Sequence, residues 1–594
     1  MCGFVGILER GAQVEVAWRL RRALDSLSRR GPDSEGVLIE EVGAWRAALG
    51  HRRLKIIDLD DRASQPFRRG DLVVLLNGEI YNYVEIREEL LRDGATFVTQ
   101  SDTEVAAAAY ERWGSACVRR FDGMFALVIL DRKRGRLTLA RDPFGEKPLY
   151  VVASDGLIAF GSTAESLRLL LGEHSLEIDP RWVAAYLQLG FAPAPLSVWK
   201  GIEKLAAGEV CEIDLQTGQK TNWEDAAKAL LDGPSDGGRF DIAEFEALLM
   251  SSIERRLRAD VPLGILLSGG IDSAYLTALI GSRLAERLTA VTIHDRLDSN
   301  EEIDRAAKVC GRFGVKHRIL SYPSRPLDEL IAASLPSMDE PIGDPAYPVL
   351  VELFSQVPRE IRVVLTGDGA DELFLSYANY RRLLRRGGGT CGLLARMSLP
   401  AAVRLGPMMG ALGVRLAKRM VIESSLPAGQ RLGMLAALGR PVGMDESVLP
   451  ILNGCDRDEV ALWRYSLEHE FPEYLLVKAD RASMHHSFES RTPYLNRELF
   501  QYLISRDPKT LALGGKSHIT QRLDSLIGED FGFTKRGFFA SGQETLARGA
   551  VWHPQMSELC GADVIQNASD PRWTDATRYY RLHVLNQWLN RKCA

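Results

Sequence analysis

The chain predicts two folds in series: an α+β domain rich in strands, then an α/β domain on a parallel sheet with a helical C-terminal part. Three observations lead there. At 594 residues the chain exceeds what one hydrophobic core organises, so at least two domains are required. Its first third carries short strand-like runs between turn signals. From Asp241 onward strands alternate with helices, the pattern of a parallel sheet with helical crossovers.

In order, RLTLARDPFG, PLYVVAS and, after Asp155-Gly156, LIAFGS read as consecutive strands and hairpins. Apolar residues at helical spacing predict helices near Val14 to Leu27 and Tyr83 to Asp93. GPSDGG at Gly233 to Gly238 is a low-propensity break, which places the domains at 2–210 and 241–594 with a linker over 211–240. Beyond it FEALLMSSIERRLRA is helical, VPLGILL a buried strand and AYLTALIGSRLAERL a helix. LTAVTIH is a second strand and IRVVLTG a third, and past Arg381 the pattern is mainly helical.

Composition excludes several classes. With 46% hydrophobic, 26% charged and 8% aromatic residues, the chain is neither disordered, collagen-like nor a small disulfide scaffold. Lys plus Arg number 74 and Asp plus Glu 79, a net charge of −5, which gives no electrostatic case for a nucleic-acid partner. The 8 cysteines form no C-x-x-C pair, which argues against a zinc cluster and suits a reducing compartment. The most apolar long stretch, Cys391 to Ala417, is broken by Arg396, Arg404 and Arg415 and fails as a membrane span. The expected location is the cytoplasm.

Cys2 opens the first chemical constellation. Removal of Met1 would leave it with a free α-amino group, whose ordinary pKa of roughly 7.7–8.0 suits a base beside its own thiol. Downstream come Arg30-Gly31-Pro32-Asp33, His51-Arg52-Arg53-Leu54, Asn77-Gly78-Glu79-Ile80-Tyr81-Asn82, Ser101-Asp102-Thr103-Glu104 and Arg141-Asp142-Pro143-Phe144-Gly145. An arginine can hold a carboxylate, an Asn side chain and a Gly N–H can donate to an oxyanion, and acidic groups can receive an ammonium. With MCGFVGI, these motifs resemble the glutaminase domain of class II glutamine amidotransferases, which are N-terminal-nucleophile hydrolases. The resemblance implies an αββα sandwich that hydrolyses glutamine. It makes Cys2 the nucleophile, Arg53 the partner of the glutamine carboxylate, Asn77 and Gly78 the oxyanion hole, and Glu79 and Asp102 the partners of the glutamine amino group. Arg29 departs from the histidine usual before Arg-Gly-Pro-Asp.

The second constellation is Ser268-Gly269-Gly270-Ile271-Asp272-Ser273, between the VPLGILL strand and a helix. Glycines let backbone N–H donors and a helix N-terminus close on phosphate, Ser268 and Ser273 add hydroxyls, and Asp272 can hold Mg²⁺. Two other glycine clusters fail. Gly514-Gly515-Lys516-Ser517 has Thr510 where a phosphate loop needs its first glycine, and Gly367-Asp368-Gly369 is followed by Glu372 where a dinucleotide fingerprint needs its last.

SGGIDS resembles the pyrophosphate loop of N-type ATP pyrophosphatases, and the domain order is similar to that of glutamine-hydrolysing asparagine synthetases. Further matches are Met338-Asp339-Glu340-Pro341, Thr366 to Glu372, Leu476 to Met484, Glu489 to Leu495 and Lys535-Arg536-Gly537-Phe538; residues 381–462 and the last forty or so match least. The resemblance implies ATP and Mg²⁺. A carboxylate attacks the α-phosphorus, and ammonia then displaces AMP to leave an amide. Asp272 and Asp371 would hold Mg²⁺, with Lys478 and Asp368 catalytic. Leu267, Ser268, Gly269, Gly270, Ile271, Asp272, Ser273, Ile293, Thr366 and Gly367 would bind ATP. A homodimer is also implied, and an apolar channel for ammonia is expected between the sites.

Leu373-Phe374-Leu375-Ser376-Tyr377 departs from the usual Leu-Phe-Gly-Gly-Tyr, which adds bulk and is expected to remove access to positive φ. L-aspartate is the default acceptor, with a sugar uronic acid or a natural-product carboxylate as the alternative. Ring closure without ammonia is disfavoured by the retained Cys2 set, and a silent binding protein by the groups kept at both sites. His485-His486 reads as a surface or packing pair.

Overall fold

The computed structural model describes residues 2–11, 16–172, 176–223, 230, 238–294, 301–321, 325–377, 458–506, 514, 516–532, 546, 551–566, 568 and 576–593. Its first domain contains β1 (Gly3–Arg10), β2 (Ser34–Val42), β3 (Trp45–Arg53), β4 (Phe67–Arg69), β5 (Leu72–Ile80) and β6 (Gly123–Asp131). They are followed by β7 (Arg136–Arg141), β8 (Tyr150–Ser154), β9 (Leu157–Gly161), β10 (Glu203–Lys204), β11 (Val210–Asp214) and β12 (Lys220–Trp223). These form two antiparallel sheets, ordered β10-β8-β9-β1-β3-β2 and β12-β11-β7-β6-β5-β4.

The period-two alternation of side chains explains the layering. On β1, Phe4 and Leu8 enter the core between the sheets, while Val5 and Ile7 pack outward beneath α1 (Val16–Ser26). On β5, Val73 and Leu75 face the other sheet, whereas Val74 and Leu76 meet α2 (Tyr83–Arg92) and α3 (Asp102–Trp113). With α4 (Ala164–Leu171) beside α1, the layers are helix, sheet, sheet, helix. A further helix, α5 (Pro180–Leu189), leads toward the second domain.

The segment 211–240, expected as a linker, begins as sheet. β11 pairs with β7, and β12 closes a hairpin on β11. Cys211 and Ile213 fill the inter-sheet core, and Asp214 accepts the N–H groups of Gln216 and Thr217 to make the turn. Strand pairing carries the sheet on to Trp223, and the GPSDGG signal up to residue 237 lies outside the described residues.

The second domain opens with α6 (Ile242–Arg256), capped by Asp241, whose carboxylate accepts the Ala243 N–H at 2.8 Å. Its sheet consists of β13 (Leu263–Leu266), β14 (Leu288–His294), β15 (Lys316–Ser321), β16 (Val363–Leu365) and β17 (Glu489–Arg491). All neighbours run parallel in the order β15-β14-β13-β16-β17. Around it lie α7 (Ile271–Leu284), α8 (Glu301–Phe313), α9 (Ala346–Gln356), α10 (Leu476–His485), α11 (Ser517–Ile527) and α12 (Ala576–Cys593). From β13 the chain moves through α7 to β14 on one side, while β16 lies on the other. The gap beyond β13 and β16 is thus the topological switch point, where open α/β sheets take ligands. The helical reading of 381–420 and the Lys535–Phe538 motif lie outside the described residues. Among the described residues no helix is long and apolar enough to cross a membrane.

Candidate active sites

The first site lies where the two antiparallel sheets meet. Cys2 precedes β1, and its N–H donates to Asn77 Oδ1 on β5 at 3.2 Å. Asn77 is fully buried, and with Oδ1 engaged its Nδ2 has no partner. Gly78 follows at φ +134°, and a Cβ there would sit 1.9 Å from the Met124 carbonyl oxygen, so only glycine fits. Glu79 places one carboxylate oxygen 3.7 Å from Arg491 Nη2, while the other is buried without a partner. Burial, reinforced by Asp102 and Glu489, pushes the Glu79 carboxyl well above the usual range. Asp102 starts α3 behind its cap Ser101 and accepts the Ile80 N–H at 3.0 Å; burial raises it as well.

Arg53, at the end of β3, donates to the carbonyls of Ile57 (3.1 Å), Asp58 (2.5 Å) and Asp60 (2.9 Å), so it also shapes the loop beside Cys2. Burial pushes the Cys2 thiol above its ordinary pKa. A thiol held protonated at neutral pH needs a base in place before it can attack.

The second site occupies the switch point. Leu267 directly follows β13, and its N–H donates to the Val291 carbonyl. Gly269 stands at φ +69° with its Cβ direction blocked 2.6 Å away by the Glu302 carbonyl oxygen. Ser273 Oγ accepts the Ser268 N–H at 3.2 Å, which curls the loop onto the N-terminus of α7 at Ile271. Gly367 abuts this loop, since its Cβ would lie 3.1 Å from Ser273 N. Thr366 Oγ1 donates to Asp368 at 2.8 Å, and Ile293 lies near the end of β14. Lys478 on α10 pairs with Asp344 at 2.6 Å. The expected phosphate-loop residues and Asp371 thus converge on one end of the sheet.

One residue of this site escapes local sequence reasoning. Lys516, set aside above with a failed phosphate loop, inserts its ammonium between Asp272 Oδ2 (2.6 Å) and Asp371 Oδ1 (2.7 Å). Two carboxylates around one cation leave hard oxygen donors where a small metal ion could be held. A glycine-lysine pair carries no sign of this role, because the partners lie 244 and 145 residues away.

Leu375 corrects the expectation about positive φ, for it adopts φ +46° with its side chain fully buried. The Ser376 N–H donates to the Asp371 carbonyl (2.8 Å) and the Leu375 N–H to that of Glu372 (3.1 Å), a pattern that closes the helical turn Ala370–Leu373. The left-handed residue of such a closure is commonly glycine. Here apolar burial offsets the steric cost.

Two linked domains, one with a buried Cys2 and one with a glycine-rich loop at the switch point of a parallel sheet, fit a glutamine amidotransferase joined to an ATP-using domain. Comparison with known families agrees. Residues 1–224 match the glutamine amidotransferase domain family, and residues 244–519 match asparagine synthase. A provisionally named asparagine synthetase (glutamine-hydrolysing) of Mycobacterium tuberculosis H37Rv is 32% identical over 541 residues, 84% of this chain and 81% of that protein. Asparagine synthetase (glutamine-hydrolysing) 1 of Bacillus subtilis is 31% identical over 65% of this chain and 60% of its own length. The amidase chyE of Penicillium rubens is 27% identical over 61% of this chain and 55% of its own. The chain belongs to the glutamine-hydrolysing asparagine synthetase family, an ATP-dependent family of carbon-nitrogen ligases acting on small molecules.

Proposed function

We propose that the protein hydrolyses glutamine at Cys2 and uses the ammonia to amidate an adenylated carboxylate, with L-aspartate as the acceptor and L-asparagine as the product. What carries the reading is the pair of unpartnered buried atoms beside Cys2, Asn77 Nδ2 and Glu79 Oε2, in the same chain as a phosphate loop. The relatives' names support the choice of aspartate.

In the first half-reaction Cys2 Sγ attacks the carboxamide carbon of glutamine. Asn77 Nδ2 and the Gly78 N–H donate to the oxygen as it gains charge, and Arg53 and Glu79 with Asp102 hold the carboxylate and ammonium. The Cys2 α-amino group, free once Met1 is removed, carries the thiol proton to the leaving ammonia, and water then cleaves the thioester to glutamate. In the second, an acceptor carboxylate oxygen attacks the α-phosphorus of ATP and pyrophosphate leaves. Ammonia attacks the acyl carbon and AMP leaves. The Ser268–Ser273 loop donates to phosphate oxygens, and Lys478 offsets negative charge as it builds.

Asp272 and Asp371 fit Mg²⁺, since their oxygens already share one cation, and the ion would neutralise phosphate charge when bound. Among the described residues no group of three or more His, Cys, Asp or Glu gathers for a metal. A second acceptor, a sugar uronic acid or another carboxylate, is favoured by Leu375 and Ser376 and by the amidase relative.

The test incubates purified protein with MgATP and glutamine, with and without L-aspartate, and quantifies AMP, pyrophosphate, glutamate and asparagine. Equal AMP and asparagine are expected. Glutamate without aspartate-dependent AMP would overturn aspartate and turn the search to other carboxylates.

A further inference from the structure

The C-terminal helix α12 lies beyond residue 519, where the asparagine synthase match ends, yet it is among the most deeply packed elements. Tyr580, Leu582, Val584, Leu585, Trp588 and Leu589 are all fully buried. They fill a core that also contains Trp182, Tyr186 and Trp199 of the first domain and Met338, Ile342 and Tyr347 of the second. Toward the first domain, Arg581 donates to the carbonyls of Leu187 (3.0 Å), Gln188 (2.6 Å) and Leu189 (3.1 Å), a cationic cap on the C-terminus of α5.

Toward the second domain, two of its hydrogen bonds fall on one short segment. Trp588 Nε1 donates to the Met338 carbonyl at 3.2 Å, and the Tyr580 hydroxyl to the Asp344 carbonyl at 3.2 Å. Between these ends lie Asp339, paired with Arg481 at 2.8 Å, and Glu340, which accepts the Tyr150 hydroxyl at 2.8 Å. At the far end the Asp344 carboxylate meets Lys478 at 2.6 Å. The Asp344 and Met338 carbonyls are thus gripped from two points on one rigid helix.

We infer that α12 is a clamp on the segment Met338–Asp344, and that Tyr580 and Trp588 are positioning residues that set the Asp344–Lys478 pair. The inference rests on the proposed role of Lys478 in amide synthesis. Tyr580 has no part in glutamine hydrolysis; it acts on Lys478 through Asp344. Removing its hydroxyl takes away one of two donors to the Asp344 carbonyl, which keeps the Tyr347 N–H at 2.9 Å, an effect worth roughly a three- to tenfold change in a local equilibrium.

Tyr580→Phe and Trp588→Phe in the full chain test it by pulse acetylation with acetic anhydride between pH 8 and 11, with labelling at Lys478 read by mass spectrometry. The Asp344 carboxylate holds the Lys478 ammonium above its ordinary pKa against the pull of burial. Loosening it should therefore shift the labelling curve to lower pH and raise labelling at pH 9 about threefold or more. Glutamate release should stay within about twofold. A merely structural role would move glutamate release and the melting temperature together and leave the Lys478 curve in place, and that result overturns the clamp. Lys478→Gln separately tests the underlying role: if it forms AMP at the wild-type rate, the role fails whatever the labelling shows.

Discussion

At single residues the glutaminase site is set by what cannot be substituted. Gly78 tolerates no side chain because of the Met124 carbonyl, and its φ of +134° is closed to L-residues. Gly78→Ala must therefore push β5 against β6 at Met124 and disturb the strand beside Asn77. Glutamine-dependent product is expected to fall about 100-fold, the cost of losing one oxyanion donor, while ammonia-dependent AMP formation stays within about twofold. Parallel assays with glutamine and with ammonium salt decide it, and equal losses in both would refute a purely local effect. Glu372 makes a different kind of prediction. Burial, with Asp371 adding to it, raises this carboxyl to about 8, though the Tyr377 hydroxyl pulls the other way. Between the ordinary value of 4.5 and about 8 the folded state holds a proton that the unfolded chain has released, so stability falls as pH rises through that window. Glu372→Gln removes that slope. Melting temperatures at pH 5 and 8 should differ less in the variant than in the wild type, and an unchanged difference would rule it out.

At the level of elements, legibility followed the range over which each signal acts. SGGIDS could be read because strand, turn and helix are all encoded within a dozen residues, and the alternation of the VPLGILL and LTAVTIH strands with helices marked a parallel sheet. Lys516 could not, since its meaning comes from Asp272 and Asp371 on other elements. Nor could the extent of the first domain's sheets, for β11 is recognisable only by its pairing with β7, and β12 only by its pairing with β11. The turn after Ala370–Leu373 shows a local rule overridden by packing. A left-handed leucine costs roughly 1–2 kcal/mol, while burying its side chain returns about 1.5–3 kcal/mol. Leu375→Gly would relieve the first and forfeit the second, leaving a cavity near Phe374 and Trp463. The variant should be less stable by about 1–3 kcal/mol, contrary to what positive φ alone suggests. Urea denaturation followed by tryptophan fluorescence measures it, and a more stable glycine variant would show that strain dominates.

Across the whole molecule the two domains meet through buried charge as well as apolar packing. Arg29, a departure noted in the sequence, and His485 face each other across the boundary at 2.6 Å. Burial and the neighbouring Arg29 lower His485 to about 3, so it meets the guanidinium as a neutral acceptor, a packing role for one member of the histidine pair. Deeper in, Arg30 donates to both carboxylate oxygens of Asp480 (2.7 and 3.1 Å) and to the Cys2 carbonyl at 3.1 Å. Asp480 sits two residues from Lys478 on α10, so a single guanidinium joins the chain start of one site to the helix of the other. Burial alone would push the Asp480 carboxyl up, but Arg30, Lys147 and Arg481 outweigh it and hold it well below the carboxylate range. Its folded pKa is depressed, so its contribution to stability is present above about 3.9, the ordinary aspartate value, and is lost as pH falls toward the folded value. Asp480→Asn keeps the shape but leaves three buried cations short of an anion. Removing one partner of a buried pair costs about 3–5 kcal/mol. The variant should melt several degrees lower at pH 7, and its melting temperature should drop less than that of the wild type on going to pH 3. Both glutamate release and ammonia-dependent AMP formation should weaken together, because Arg30 and α10 shift together. A variant that melts with the wild type at pH 7, or that loses only one activity, would mean that the apolar core alone holds the domains in register.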